Sequence, residues 1–103
     1  MSFSEVLASL PAIDDIEAIE LYEGKKLFAR IDNKPGSAGS VKVYHALFEE
    51  FGEINTDAAN KGIEMYCQHT EDARNNPGKH PNIDRLLDII DNDQVLTVKV
   101  IEA

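Results

Sequence analysis

A chain of 103 residues with 43% apolar and 28% charged side chains has the balance of a single globular domain, expected to span residues 1–103. Its net charge of −9 excludes nucleic acid and anionic membrane surfaces as partners, since both would be repelled. One cysteine excludes an internal disulfide and fits a cytoplasmic setting, and no apolar run approaches the ~20 residues of a membrane span.

The opening MSFSEVLASLP has a glutamate where a secretion signal needs basic residues. Within it Phe3, Val6, Leu7 and Leu10 repeat at helical spacing, Ser2 or Ser4 is placed to cap, and Pro11 follows the end. This predicts a helix over 3–10. Alternation then predicts strands over 17–23 and 27–32, joined at Gly24-Lys25-Lys26 as a β-hairpin. A Gly/Ser loop, NKPGSAGS, covers 33–40. Val43, Tyr44, Leu47, Phe48 and Phe51 make one stripe of a helix over 41–51, capped by Ser40 and ended by Gly52. Asn55 or Thr56 is placed to cap a long helix reaching Arg74, with Ala59, Ile63, Tyr66, Cys67, Thr70 and Ala73 on its buried face. Pro81 opens a last helix with Ile83, Leu86, Leu87 and Ile90 inward, and 95–101 reads as the final strand. The order α-β-β-α-α-α-β predicts an α+β domain: a small three-stranded, mostly antiparallel sheet with helices packed on one face.

The densest chemistry lies in HTEDARNNPGKHPNIDR, residues 69–85. An Asn-Asn-Pro-Gly run cannot continue a helix, so this stretch is expected to be an ordered corner between two helices. From 75 to 85 it holds Lys79 and Arg85 against Asp84, a net-positive window on an acidic chain. Such a patch suits a small anion better than a polyanion. Asn75, Asn76, Lys79, His80, Asn82 and Arg85 are the candidate binding residues, with Lys79 and Arg85 meeting the anion.

His69, Asp72 and His80 are the candidate acid–base residues, because an imidazole oriented by a carboxylate shuttles protons near neutral pH. The bland alternative gives both histidines a structural role in the turn, with His80 capping the last helix. Cys67, His69, Asp72 and His80 superficially suggest zinc. Two positions along a helix rotate by about 200°, however, which separates Cys67 from His69. No metal and no cofactor is expected.

Two further features carry weaker signals. The loop 34–40 precedes a helix start, where backbone N–H groups attract anions, and Lys34 adds charge. It lacks the patterns of nucleotide-binding loops, and its plain reading is a connection. Asp84, Asp88 and Asp91 fall on one face of the last helix, a solvated acidic face or a surface for a cation or basic partner. Asp91-Asn92-Asp93 begins like a calcium loop but lacks the later glycine and glutamate. His45 and Glu49 read as surface decoration.

At HTEDARNNPGKHPNIDRL the chain resembles a family of small bacterial proteins catalogued only as a conserved domain of unknown function. The resemblance extends over most of the length. It implies a bacterial cytoplasmic origin and brings no activity, cofactor or catalytic residue with it. The residues themselves point to a binding or interaction module with its contact surface at 69–85, for a protein or a small anionic ligand. A small enzyme using His69 or His80 with Asp72, and anion binding at loop 34–40, are the alternatives. The oligomeric state is not readable from the sequence.

Overall fold

The computed structural model describes residues 2–103. Helix α1 (Phe3–Ser9) starts with a reciprocal cap: the Ser2 hydroxyl accepts from the Glu5 N–H, and the Glu5 carboxylate accepts from the Ser2 N–H. Strands β1 (Ile16–Glu23) and β2 (Lys26–Asp32) form the hairpin, with Gly24 at φ +61° in the turn. After helices α2 (Ala38–Phe51), α3 (Thr56–Met65), α4 (Gln68–Asn75) and α5 (Pro81–Asn92), strand β3 (Thr97–Glu102) returns to pair with β1.

The fold is α+β, with a sheet that is antiparallel throughout in the order β2-β1-β3. Ile19 stands opposite Ile31 and Val100, and Leu21 opposite Ala29 and Val98. This apolar face packs on Tyr44, Leu47, Leu86 and Ile89 in one core. The other face is polar: Arg30 pairs with Glu20 and Asp32 at 2.9 Å and with Glu17 at 3.6 Å. Alternation along the strands therefore sorts side chains to two environments. A single bridge between Ile54 and Leu96, both fully buried, ties the α2–α3 link to the entry of β3.

Three local expectations change. Helix α2 begins at Ala38, with Ser37 at the N-cap, so Ser40 lies in the first turn and does not cap. The Ser37 hydroxyl instead donates to the Asp32 carbonyl, tying the loop to the end of β2. The segment expected as one helix to Arg74 is two, α3 and α4. Cys67 takes φ +54° and ψ −122°, and the His69 N–H donates to the Tyr66 carbonyl. This is a type II′ turn inserted into the helical path. The Thr70 hydroxyl donates to the Ile63 carbonyl and satisfies an acceptor that the break frees. Finally, His80 is the N-cap residue of α5 but makes no side-chain cap bond.

Gly62 explains how α3 fits. A Cβ there would stand 2.7 Å from Leu86 Cδ1 and 3.0 Å from Leu47 Cδ1. Only glycine lets the α3 backbone approach α5 and α2 so closely, and that crossing holds the α3–α4 pair beside the start of α5.

Candidate functional site

The corner between α4 and α5 is built from a turn and a clamp. Asn76-Pro77-Gly78-Lys79 forms a type II turn, with Gly78 at φ +92° and the Lys79 N–H donating to the Asn76 carbonyl. Asp84 reaches back from α5 to accept from the Gly78 N–H at 2.9 Å. Asp72 holds the same loop from the other side. Its Oδ2 lies 2.6 Å from His80 Nε2 and 3.0 Å from Lys79 Nζ, and its Oδ1 accepts from Asn76 Nδ2 at 3.0 Å. The hydrogen bond with His80, then that with Lys79, hold the Asp72 carboxyl below its ordinary pKa range.

This clamp places Lys79 and His80 at a cleft of about 400 Å³ that His69 and Asn82 also line. The opposite wall is the Gly/Ser loop and the first turn of α2: Gly36, Ala38, Gly39 and Ser40. Helix α1 closes a third side through Phe3 and Leu7. Phe3 stacks on Tyr66 at 5.1 Å and meets the edge of His69 at 5.2 Å. Gly39 admits α1, since a Cβ there would stand 3.2 Å from Leu7 Cδ1. The buried Tyr66 hydroxyl donates to Ser40 Oγ at 2.7 Å, joining α3 to the start of α2.

The cleft thus unites two segments that lie far apart in the sequence. Helices α2 and α5 begin on opposite walls of it, and neither has a side-chain cap bond. Among the described residues, the first-turn N–H groups of Gly39, Ser40 and Asn82 have no acceptor. Uncapped helix starts are poles of partial positive charge. Lys79 adds positive charge beside them, the two histidines add ring N–H donors, and Phe3, Leu7 and Ile83 provide apolar wall.

The candidate residues divide accordingly. His69, Lys79, His80 and Asn82 line the cleft, with the His69 and His80 rings 5.8 Å apart. Asp72 holds Lys79 and His80 from behind and makes no hydrogen bond to His69. Asn76 serves the clamp, and Asn75 is exposed at the end of α4. Arg85 does not join Lys79. Its guanidinium sits 5.7 Å over the Tyr44 ring and donates to the Tyr44 hydroxyl at 3.2 Å and Asn82 Oδ1 at 2.9 Å. Phe3, Leu7 and Tyr66 are site residues that sequence reasoning left out, their only signal being ordinary helix-face spacing, while Ser40 entered through the anion-binding alternative at loop 34–40.

Cys67 is partly buried, its Sγ 3.4 Å from the Met65 carbonyl oxygen. Among the described residues no group of three or more His, Cys, Asp or Glu is arranged to hold a metal ion. In the same residues no helix is long and apolar enough to cross a membrane.

An all-antiparallel three-stranded sheet carrying five helices among the described residues, with a cleft at helix starts, defines the class as a small α+β domain. The chain belongs to a family described as an uncharacterized protein conserved in bacteria (DUF2322), which matches residues 3–100. No curated protein and no solved structure gives a match.

Proposed function

We propose that this chain is a small binding module whose cleft takes a small organic anion, a carboxylate or phosphate ester with an apolar body. One observation carries the reading: the uncapped starts of α2 and α5 line one cleft together with Lys79, His69 and His80. Helix starts supply N–H donors without a further charge, and Lys79 supplies the charge. A volume of about 400 Å³ matches a small metabolite. Phe3, Leu7 and Ile83 suit its apolar part. Binding of this kind fits a cytoplasmic role among metabolites, and the overall negative charge repels polyanions that would compete for the cleft.

The test is amide mapping by NMR with inorganic phosphate and phenyl phosphate. Shifts centred on Gly39, Ser40 and Asn82, with phenyl phosphate binding more tightly, are the expected result. Lys79→Ala is expected to weaken binding about tenfold or more, the worth of a charge-assisted hydrogen bond. Arg85→Ala separates the cleft from the Tyr44 contact and is expected to leave affinity within about threefold at a temperature where it is folded. Unmoved cleft amides at millimolar ligand, or full affinity in Lys79→Ala, overturn the reading.

The 2.6 Å contact between His80 and Asp72 favours a second reading, acid–base catalysis. An Nε2–H donated to the carboxylate leaves Nδ1 as a proton acceptor. That reading requires turnover of a bound ester, lost in His80→Gln. Saturable binding with no turnover favours the module.

A further inference from the structure

Helix α5 has another side, away from the cleft. A groove of about 590 Å³ runs there between α5 and the α3–α4 pair. Ile63, Leu87 and Ile90 make an aliphatic floor, each packed against the core yet partly open to solvent. Asp84, Asp88 and Asp91 form the rim, against one cation, Arg74. Asp88 and Asp91 belong to the carboxyl-terminal half of α5, whose last turn has no basic residue. Negative charge there opposes the helix dipole, so these carboxylates are placed against the local interest of the helix. On the other flank of α5, Asp84 and Asp88 also border Phe28, which is 47% exposed. The acidic ridge therefore has apolar surface on both sides.

We propose that this groove docks a basic amphipathic helix of a partner protein, its aliphatic stripe on Ile63, Leu87 and Ile90 and its lysines or arginines on the Asp84–Asp88–Asp91 rim. Charge complementarity selects the occupant. A second copy of this chain carries the same −9 and sets acid against acid, and an anionic lipid surface is repelled for the same reason. A helix laid in an apolar groove, anchored at every third or fourth residue, matches the chemistry of the floor and rim.

The probe is a labelled helix of about 14 leucines and lysines, roughly four turns, with a glutamate-for-lysine version as its counterpart. Anisotropy is read with the full chain. The lysine peptide binds and the glutamate peptide does not. Amide shifts on binding centre on Ile63, Leu87 and Ile90. Asp88→Lys with Asp91→Lys weakens binding at least ~tenfold. This pair relieves the dipole conflict, so its melting temperature does not fall and lost binding is not lost fold. Glu49→Lys with Glu50→Lys changes the net charge equally on exposed positions of α2 and weakens binding less than ~twofold. Equal losses in the two double variants would mean that only the overall field attracts the peptide, and the groove proposal fails. Shifts centred elsewhere overturn it as well.

Discussion

His80 Nε2 lies 2.6 Å from Asp72 Oδ2, eight residues back in the chain, and this contact closes the corner between α4 and α5. Asp72 also holds Lys79 and Asn76, so one carboxylate shapes the whole loop. Its pKa is lowered in the folded chain, first by His80 and then by Lys79. A lowered carboxylate contributes stability above its unfolded pKa, about 3.9, and loses it as pH falls through the folded value. Asp72→Asn is therefore expected to speed amide exchange at Asn76, Gly78, Lys79 and His80 near neutral pH. The difference from the parent should vanish in acid, below the folded pKa of Asp72. A difference that persists unchanged there would show that the ionised carboxylate does not hold the loop.

Cys67 at φ +54° and ψ −122° occupies the first central position of a type II′ turn, the place where glycine is preferred. A side chain there costs of order 1–3 kcal/mol in backbone strain. The thiol returns only a weak contact to the Met65 carbonyl and partial burial. Cys67→Gly is expected to stabilise the chain by about 1 kcal/mol, read as a shift in the urea midpoint at constant slope. A clear loss would assign Cys67 a larger packing role than its partial burial implies.

The same turn marks where the sequence stops being legible. The apolar face from Ala59 to Ala73 keeps helical phase across the break, because α3 and α4 bury the same side. Neither a glycine nor a proline announces the turn. Where breakers do appear, at Gly24, Gly52 and Asn76-Pro77-Gly78, turns or helix ends fall on them. Strand alternation likewise identified the hairpin and β3, giving the α+β class and its order. The corner at 69–85 was readable as an ordered helix–loop–helix. Its union with loop 34–40 and α1 was not. That depends on Gly62 and Gly39 setting the distances between helices, and pattern within one segment carries no record of a contact with another.

Gly62→Ala tests that spacing. Helix propensity alone favours alanine by about 1 kcal/mol. The new Cβ would meet Leu86 Cδ1 at 2.7 Å and Leu47 Cδ1 at 3.0 Å, and neither leucine has room to move outward, at 0% and 1% exposed. Overpacking of a closed core costs about 1–3 kcal/mol and outweighs the propensity gain. The expected net effect is a loss of about 1 kcal/mol, with cleft amides at Ser40 and Tyr66 shifting as α3 is pushed away. A gain in melting temperature would mean that the α3 crossing is looser than described.

Tyr44 gives the alkaline limit of the fold. Its ring is fully buried, its hydroxyl donates to the Asn82 carbonyl, and burial pushes its pKa up to about 12, against the opposing pull of Arg85. Burial, followed by the neighbouring Tyr44, raises Tyr66 further. Below pH ~10 tyrosines are protonated in both folded and unfolded chains, and stability is independent of them. Above it the unfolded chain releases protons that the folded chain retains, so stability falls as pH rises toward the folded values, by at most about 1.4 kcal/mol per pH unit for each tyrosine. Urea midpoints measured from pH 8 to 12 are expected to hold level and then drop above ~10. Native phenolate absorbance at 295 nm should lag behind that of the urea-unfolded chain. Tyr44→Phe is expected to cost about 1–2 kcal/mol at neutral pH, because the Asn82 carbonyl and Arg85 lose a partner. It should also make the alkaline decline shallower by one tyrosine. An unchanged alkaline slope in Tyr44→Phe would show that Tyr44 is not among the groups whose ionisation the fold resists.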